Sequence, residues 1–285
     1  MFFGFFSRPR SPLLHTVREE ALIPGVLQVI IKTDTGNIRT NNEDAAAFFY
    51  PDDSSLLNTK GVMLVLADGM GGHNSGEVAS NMTVEGVARE YYRNANREVI
   101  PAVRRAVERV NRAIYDKSKN HVQHSGMGTT CTLLLIKEQK IYVGHVGDSR
   151  AYIFKNGSLH SLTTDHTLVN SLVEEGKITE EEAESHPQRN VLLKALGIDK
   201  KISPEVRDTG FGLAPGDRLL LCSDGLYEYF SHEELRRFGL AALSPALWAK
   251  QLVETAKERG GHDNITVVVA EALSDIPETK ENNLS

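Results

Sequence analysis

The chain has 285 residues, 40% of them apolar and 25% charged, with a formal net charge of −6. This is the profile of a globular protein able to bury a proper core, and the lack of a domain-wide basic excess argues against a nucleic-acid binder. No run approaches the ~20 apolar residues of a membrane helix. The aromatic start MFFGFF is cut by Arg8, Pro9, Arg10 and Pro12, too short for a secretory leader.

In chain order, residues 1–25 read as a flexible extension, 26–272 as one domain without repeats or linkers, and 273–285 as a disordered polar tail. The domain opens with strands, VLQVIIKT, AAAFFY and GVMLVLA. After a glycine-rich loop, Val84, Val87, Ala88 and Tyr91 mark one helix, and Val103, Val107, Val110 and Ile114 a second. Arg104, Arg105, Arg109 and Arg112 fall on the solvated face of that second helix. Strands return as TTCTLLLIK, KIYVGHVG and RAYIFKNGSLHSL, the last with an Asn156-Gly157 hairpin turn. Residues 163–190 are polar, with a capping box from Thr179 to Glu182, and so long a connection is a functional or mobile one. The strand DRLLLCS follows, then helices beginning at the Ser231/Glu234 capping box and at Ser244-Pro245, and finally the strand NITVVVA. Grouped strands and paired helices, without strict βα alternation, predict antiparallel sheets with helix pairs on their outer faces.

Cys131 and Cys222 lie far apart in apolar runs, so a reducing, cytoplasmic setting is expected. A cysteine-dependent phosphatase needs an Arg six residues after its nucleophile; here those positions are Lys137 and Glu228.

Asp68, Asp148 and Asp224 each end an apolar strand beside a glycine (Gly69, Gly147, Gly225), and Asp263 begins one after Gly260 and Gly261. One such Asp is a turn residue. Four at the edges of buried strands would gather, repel and lose hydration unless a cation held them. Carboxylates with backbone carbonyls are hard donors suited to Mg²⁺ or Mn²⁺ and poorly suited to Zn²⁺. GNIRTNNED adds Arg39, a planar fork for phosphate oxygens, four residues before Glu43 and close to Asp44.

The ordered motifs GNIRTNNED, LADGMGGHNSGEVAS, GMGTTCTLLL, GHVGDSRAYIF, LTTDHTLV, SHPQRNVLLKALG, LLLCSDGLYEYFS and GGHDNITVVVA, from about residue 28 to 271, resemble the metal-dependent Ser/Thr protein phosphatases of type 2C, bacterial branch. The resemblance implies an α+β, four-layer α-β-β-α sandwich of two antiparallel sheets flanked by helix pairs. It implies two core Mn²⁺ or Mg²⁺ ions, with Asp68 bridging both, the Gly69 carbonyl on the second, and Asp224 and Asp263 on the first. Glu43 and Asp44 would act through metal-bound water, Asp148 with Asp224 would hold a weaker third ion, and Arg39 would clamp the phosphate. A water shared by the ions would attack phosphorus directly. Residues 163–190 match the family's variable flap, expected to tune substrate choice.

Met70 stands where many eukaryotic members have the His proposed as general acid; His73, nearby, is not expected to take that role, and His145, His166 and His262 have no independent case. Ser149 and Ser223 are expected to be local hydrogen-bonding residues. Partners would be phosphorylated proteins and a cognate Ser/Thr kinase, with the phosphatase a monomer. The rival readings are a regulatory domain without turnover, which would have lost ligand carboxylates, and another metallohydrolase such as a phosphodiesterase.

Overall fold

The computed structural model describes residues 14–23, 26–71, 75–94, 96 and 98–274. The first described residues correct one expectation. Residues 14–23 belong to the folded body: β1 (Leu14–Val17) and β2 (Glu20–Ile23) are edge strands. Both are too short to show a period. The Phe-rich start, His73 and residues 275–285 lie outside the described residues.

Next come β3 (Leu27–Asp34) and β4 (Ala45–Pro51), a short helix α1 (Ser54–Lys60) started by the Asp53 cap, and β5 (Val62–Ala67). After β6 (Gly69–Met70), α2 (Ser75–Arg93) and α3 (Val99–Asn120) form a helix pair. Strands β7 (Gly128–Thr129), β8 (Cys131–Lys137), β9 (Lys140–Val146), β10 (Arg150–Lys155) and β11 (Ser158–Ser161) follow. Asn156 and Gly157 both take positive φ, 52° and 77°, as the hairpin turn between β10 and β11 requires. The 163–190 segment holds α4 (Leu168–Glu174) and α5 (Glu180–Glu184), the latter with its Thr179/Glu182 capping box in place. The chain closes with β12 (Glu205–Gly212), β13 (Arg218–Cys222), α6 (Asp224–Tyr227), α7 (His232–Leu240), α8 (Pro245–Glu258) and β14 (Ile265–Ala272).

These strands make two six-stranded antiparallel sheets, in the orders β1-β4-β5-β8-β9-β12 and β11-β10-β13-β14-β3-β2, with β6-β7 as a small ribbon. Each central strand is buried on both faces, which is why it reads as an unbroken apolar run. In β5, Val62, Leu64 and Leu66 face the other sheet, while Met63, Val65 and Ala67 face α2 and α3. In β14, Val268 and Ala270 face inward, while Val267 and Val269 pack with Trp248 and Leu252 of α8. The result is four layers, helix pair, sheet, sheet and helix pair, glued by three apolar seams. A fully buried aliphatic side chain contributes roughly 1.5–3 kcal/mol. Arg104, Arg105, Arg109 and Arg112 are exposed, as the α3 period predicts, and Arg109 and Arg112 pair with Glu90 and Asp116.

Two of the connections that pass from one sheet to the other carry candidate site residues. The β3–β4 loop carries Arg39, Glu43 and Asp44, and the β9–β10 turn carries Asp148. Asp68 leaves β5 of the first sheet; Asp224 leaves β13 and Asp263 enters β14 of the second.

Candidate metal centre

The strand ends converge on a cavity of about 250 Å³ whose walls include Arg39, Asp68, Gly69, Met70, Thr130, Asp148, Asn190, Leu192, Asp224 and Asp263. Six of the predicted site residues therefore share one space. Glu43 and Asp44 do not line it. The Glu43 carboxylate accepts the Gly76 N–H at 3.2 Å, at the start of α2, where a helix terminus favours an anion. Asp44 lies behind Asp68 and accepts the Ser223 hydroxyl at 2.8 Å.

Each wall is fixed by backbone. Thr130 Oγ1 accepts the Asp68 N–H and the Thr130 N–H donates to the Asp68 carbonyl, both at 2.8 Å. Thr130 is itself bonded to Ser149 Oγ at 2.7 Å, tying the Asp68 and Asp148 turns together. Asn264 accepts the Glu43 N–H at 2.8 Å and donates to the Thr35 and Asn41 carbonyls at 3.0 and 2.9 Å. One buried amide thus locks the Arg39 loop against Asp263. Gly69 is glycine because the chain leaves no room: a Cβ there would sit 2.3 Å from the Gly76 carbonyl oxygen and 2.4 Å from that of Glu43. At Gly225 a Cβ would stand 2.1 Å from the Asn264 carbonyl oxygen. Ser149 and Ser223 are local hydrogen-bonding residues, as expected.

The electrostatics of the cavity penalise bare carboxylates and so favour a proton or a cation there. Burial pushes the Asp68 carboxyl well above its ordinary range, and the charges of Asp44, Asp224, Asp148 and Asp263 add to the rise. Asp224 is pushed up in the same way by burial and then by Asp148. Asp148, 7% exposed, is pushed up to about 6 by burial and the Asp165 charge, and Asp44 to about 6 by burial. Glu43 is raised mainly by burial. Asp224 Oδ1 is buried without a hydrogen-bond partner, an oxygen that a cation would satisfy. Among the described residues no three of these groups already stand as a closed metal site. Instead the Arg39 guanidinium answers one of them, donating to Asp263 Oδ2 at 2.7 Å from a half-exposed position. Four carboxylates, a glycine carbonyl and threonine are all hard oxygen donors, and they fit Mg²⁺ or Mn²⁺.

Neither cysteine competes. Both are free and fully buried, and burial pushes their thiols up to about 12. His145 and His166 stack at 4.8 Å beside the Asp148 turn, both driven down to about 4 mainly by burial. His262 is exposed and bonded to the Tyr229 hydroxyl at 2.9 Å. Sequence reasoning missed Thr130, Asn264, Asn190 and Leu192. Thr130 had a signal, a polar residue opening an apolar strand; Asn190 and Leu192 had none.

The profile of the family described as Protein phosphatase 2C matches residues 39–264. A serine/threonine phosphatase, Stp, of Listeria welshimeri is 34% identical over 244 residues, covering 84% of this chain and 94% of its own. The crystal structure of the Mycobacterium tuberculosis serine/threonine phosphatase PstP superposes with a TM-score of 0.76 at 38% identity, covering 87% of this chain and 99% of its own. A crystal structure of the PstP catalytic domain in complex with two manganese ions gives a TM-score of 0.74 at 36% identity, with the same coverage.

Proposed function

Because the chain belongs to the protein phosphatase 2C family, we propose that its cavity hydrolyses phosphoserine and phosphothreonine monoesters of proteins with the aid of divalent cations. The observation that carries this reading is the meeting of four carboxylates from four strand ends, Asp68, Asp148 and Asp224 buried and Asp263 partly exposed, with one guanidinium at the cavity mouth. Asp68, at the centre of the mutual repulsion, would bridge two Mn²⁺ or Mg²⁺ ions; the Gly69 carbonyl would hold the second, and Asp224 and Asp263 the first. Asp148 with Asp224 would hold a weaker third. Glu43 and Asp44, behind the wall, would act through water. Ions bound there supply charge neutralisation and a water of lowered pKa.

The chain's own residues supply the rest. Arg39 offers its fork to the phosphoryl oxygens, exchanging the Asp263 carboxylate for another anion of the same geometry. Thr130 and Asn264 hold the Asp68 and Arg39 loops so that no reorganisation is needed when charge develops. The cavity admits a phosphoryl group on a short stem but is too small for a drug-sized ligand. Such an enzyme removes what a Ser/Thr kinase adds, so a kinase acting on the same proteins is the natural counterpart. Its two thiols are free and buried, which supports a reducing, cytoplasmic setting; no helix among the described residues is long and apolar enough to cross a membrane.

The test is to offer a phosphothreonine peptide and a bis-aryl phosphodiester in Mn²⁺ and in EDTA. The expected result is metal-dependent phosphate release from the peptide and none from the diester. Faster diester cleavage would make the protein a phosphodiesterase. Tight Mn²⁺ binding without any turnover would make it a binding module.

A further inference from the structure

The turn that carries Asp148 is fastened on both sides to one short stretch, residues 165–168, at the root of the flap. Before Asp148, the His166 N–H donates to the Gly147 carbonyl at 2.8 Å, and His166 Nδ1 accepts the Gly147 N–H at 3.1 Å. After Asp148, the Arg150 guanidinium donates to the Asp165 carboxylate at 2.7 and 3.1 Å and lies 3.7 Å from the Tyr227 ring centroid. The same stretch supports the facing wall of the cavity. The Leu193 N–H donates to the His166 carbonyl and the Leu168 N–H to the Val191 carbonyl, both at 2.8 Å, and Thr167 pairs with Leu192. Asn190 and Leu192 are the flap-side lining of the cavity.

One support therefore holds both a carboxylate that repels its neighbours and the wall a substrate meets. The His166 ring is kept from turning by its stack on His145, with planes 25° apart. A neutral imidazole is required for Nδ1 to accept, and burial keeps the ring neutral.

We propose that His166 and Asp165 are positioning residues that aim Asp148 at its cation and couple that aim to the substrate-facing wall at Asn190 and Leu192. The word cation rests on the phosphatase reading above; the bonds do not. Removing the Nδ1 acceptor strands the Gly147 N–H and frees the peptide before Asp148 to rotate. Outer residues that orient a metal ligand typically change metal affinity by about 10–100-fold.

The experiment is calorimetric Mn²⁺ titration of the full chain as wild type, Asp148→Asn, His166→Ala and His166→Asn, with the fluorescence of the single, buried Trp248 following unfolding in EDTA. An Asn side chain can place its oxygen where Nδ1 accepts. Asp148→Asn should remove the weakest Mn²⁺ phase, His166→Ala should weaken it about tenfold, and His166→Asn should restore most of it whatever either does to the melt. In turnover, His166→Ala should raise KM for a phosphothreonine peptide more than for an aryl phosphate. If His166→Ala does not fold, Asp165→Asn serves with the same expectation. The proposal is overturned if Asp148→Asn leaves the titration unchanged, if His166→Ala (or Asp165→Asn in its place) binds Mn²⁺ as wild type does, or if His166→Asn is as weak as His166→Ala. A wild type that binds Mn²⁺ but releases no phosphate defeats the phosphatase reading and leaves the titration comparison standing.

Discussion

Asp68 is the residue on which the others lean. Its main chain is pinned by Thr129 and Thr130, and its carboxyl feels four other carboxylates. The glycine beside it is there for packing as much as for a ligand: Gly69→Ala would drive a methyl into the Gly76 and Glu43 carbonyls. That substitution should abolish turnover and weaken Mn²⁺ binding; an active variant with unaltered affinity would refute the packing argument. Arg39→Ala should cost about 10²-fold in kcat/KM, the scale of one lost transition-state donor, while leaving Mn²⁺ affinity unchanged or improved because Asp263 loses a competing cation. The four aspartates were legible in sequence because three close an apolar run beside glycine and Asp263 opens one just after Gly260 and Gly261. Asn264 and the Arg39–Asp263 pair were not, since their partners lie 223 and 224 residues away.

At the scale of elements, legibility followed burial. Strands covered on both faces showed as apolar runs, and α2 and α3 showed their stripes. The edge strands β1 and β2 are four residues each, and β12, EVRDTGFG, has Val206 as its one buried residue and two glycines. Such elements exist because a neighbour offers hydrogen bonds, and no local period announces them. The α2–α3 seam is tight: a Cβ on Gly86 would come 2.8 Å from Val110 Cγ2. Gly86→Ala should therefore destabilise the fold by about 1–3 kcal/mol with kcat of the folded fraction unchanged, read by Trp248 fluorescence in urea. The flap is the complementary case. α4 and α5 contribute Val169 alone to the buried set, yet the chain returning from them lines the cavity. Shortening it should alter turnover of a protein substrate more than that of a small aryl phosphate; equal effects would deny it a part in substrate choice.

For the whole molecule, the sandwich brings anions together that would otherwise stay apart, and the cost falls on the metal-free protein. Asp148 and Asp44 both titrate near 6 in the folded chain, above an unfolded carboxyl at 3.8. A raised carboxyl pKa means the folded state holds protons longer, so this stabilisation is full below the unfolded value and is lost as pH rises through about 6. In EDTA these carboxyls should cost stability progressively between about pH 4 and pH 6, and Mn²⁺ should cancel the loss. The gain in melting temperature from Mn²⁺ should therefore grow across that window; a gain independent of pH would show that the cation does not meet these carboxyls.

The most direct test of the central claim is hydrolysis of a phosphothreonine peptide by wild type and Asp263→Asn, each in Mn²⁺ and in EDTA. Asn matches the shape of Asp263 but keeps one oxygen where the carboxylate uses two, Oδ2 for Arg39 and Oδ1 for the Asn264 N–H, so the change removes the charge and one acceptor. The account predicts turnover that needs metal and collapses in the variant. Turnover that survives EDTA, or an Asp263→Asn variant as active as wild type, would contradict it.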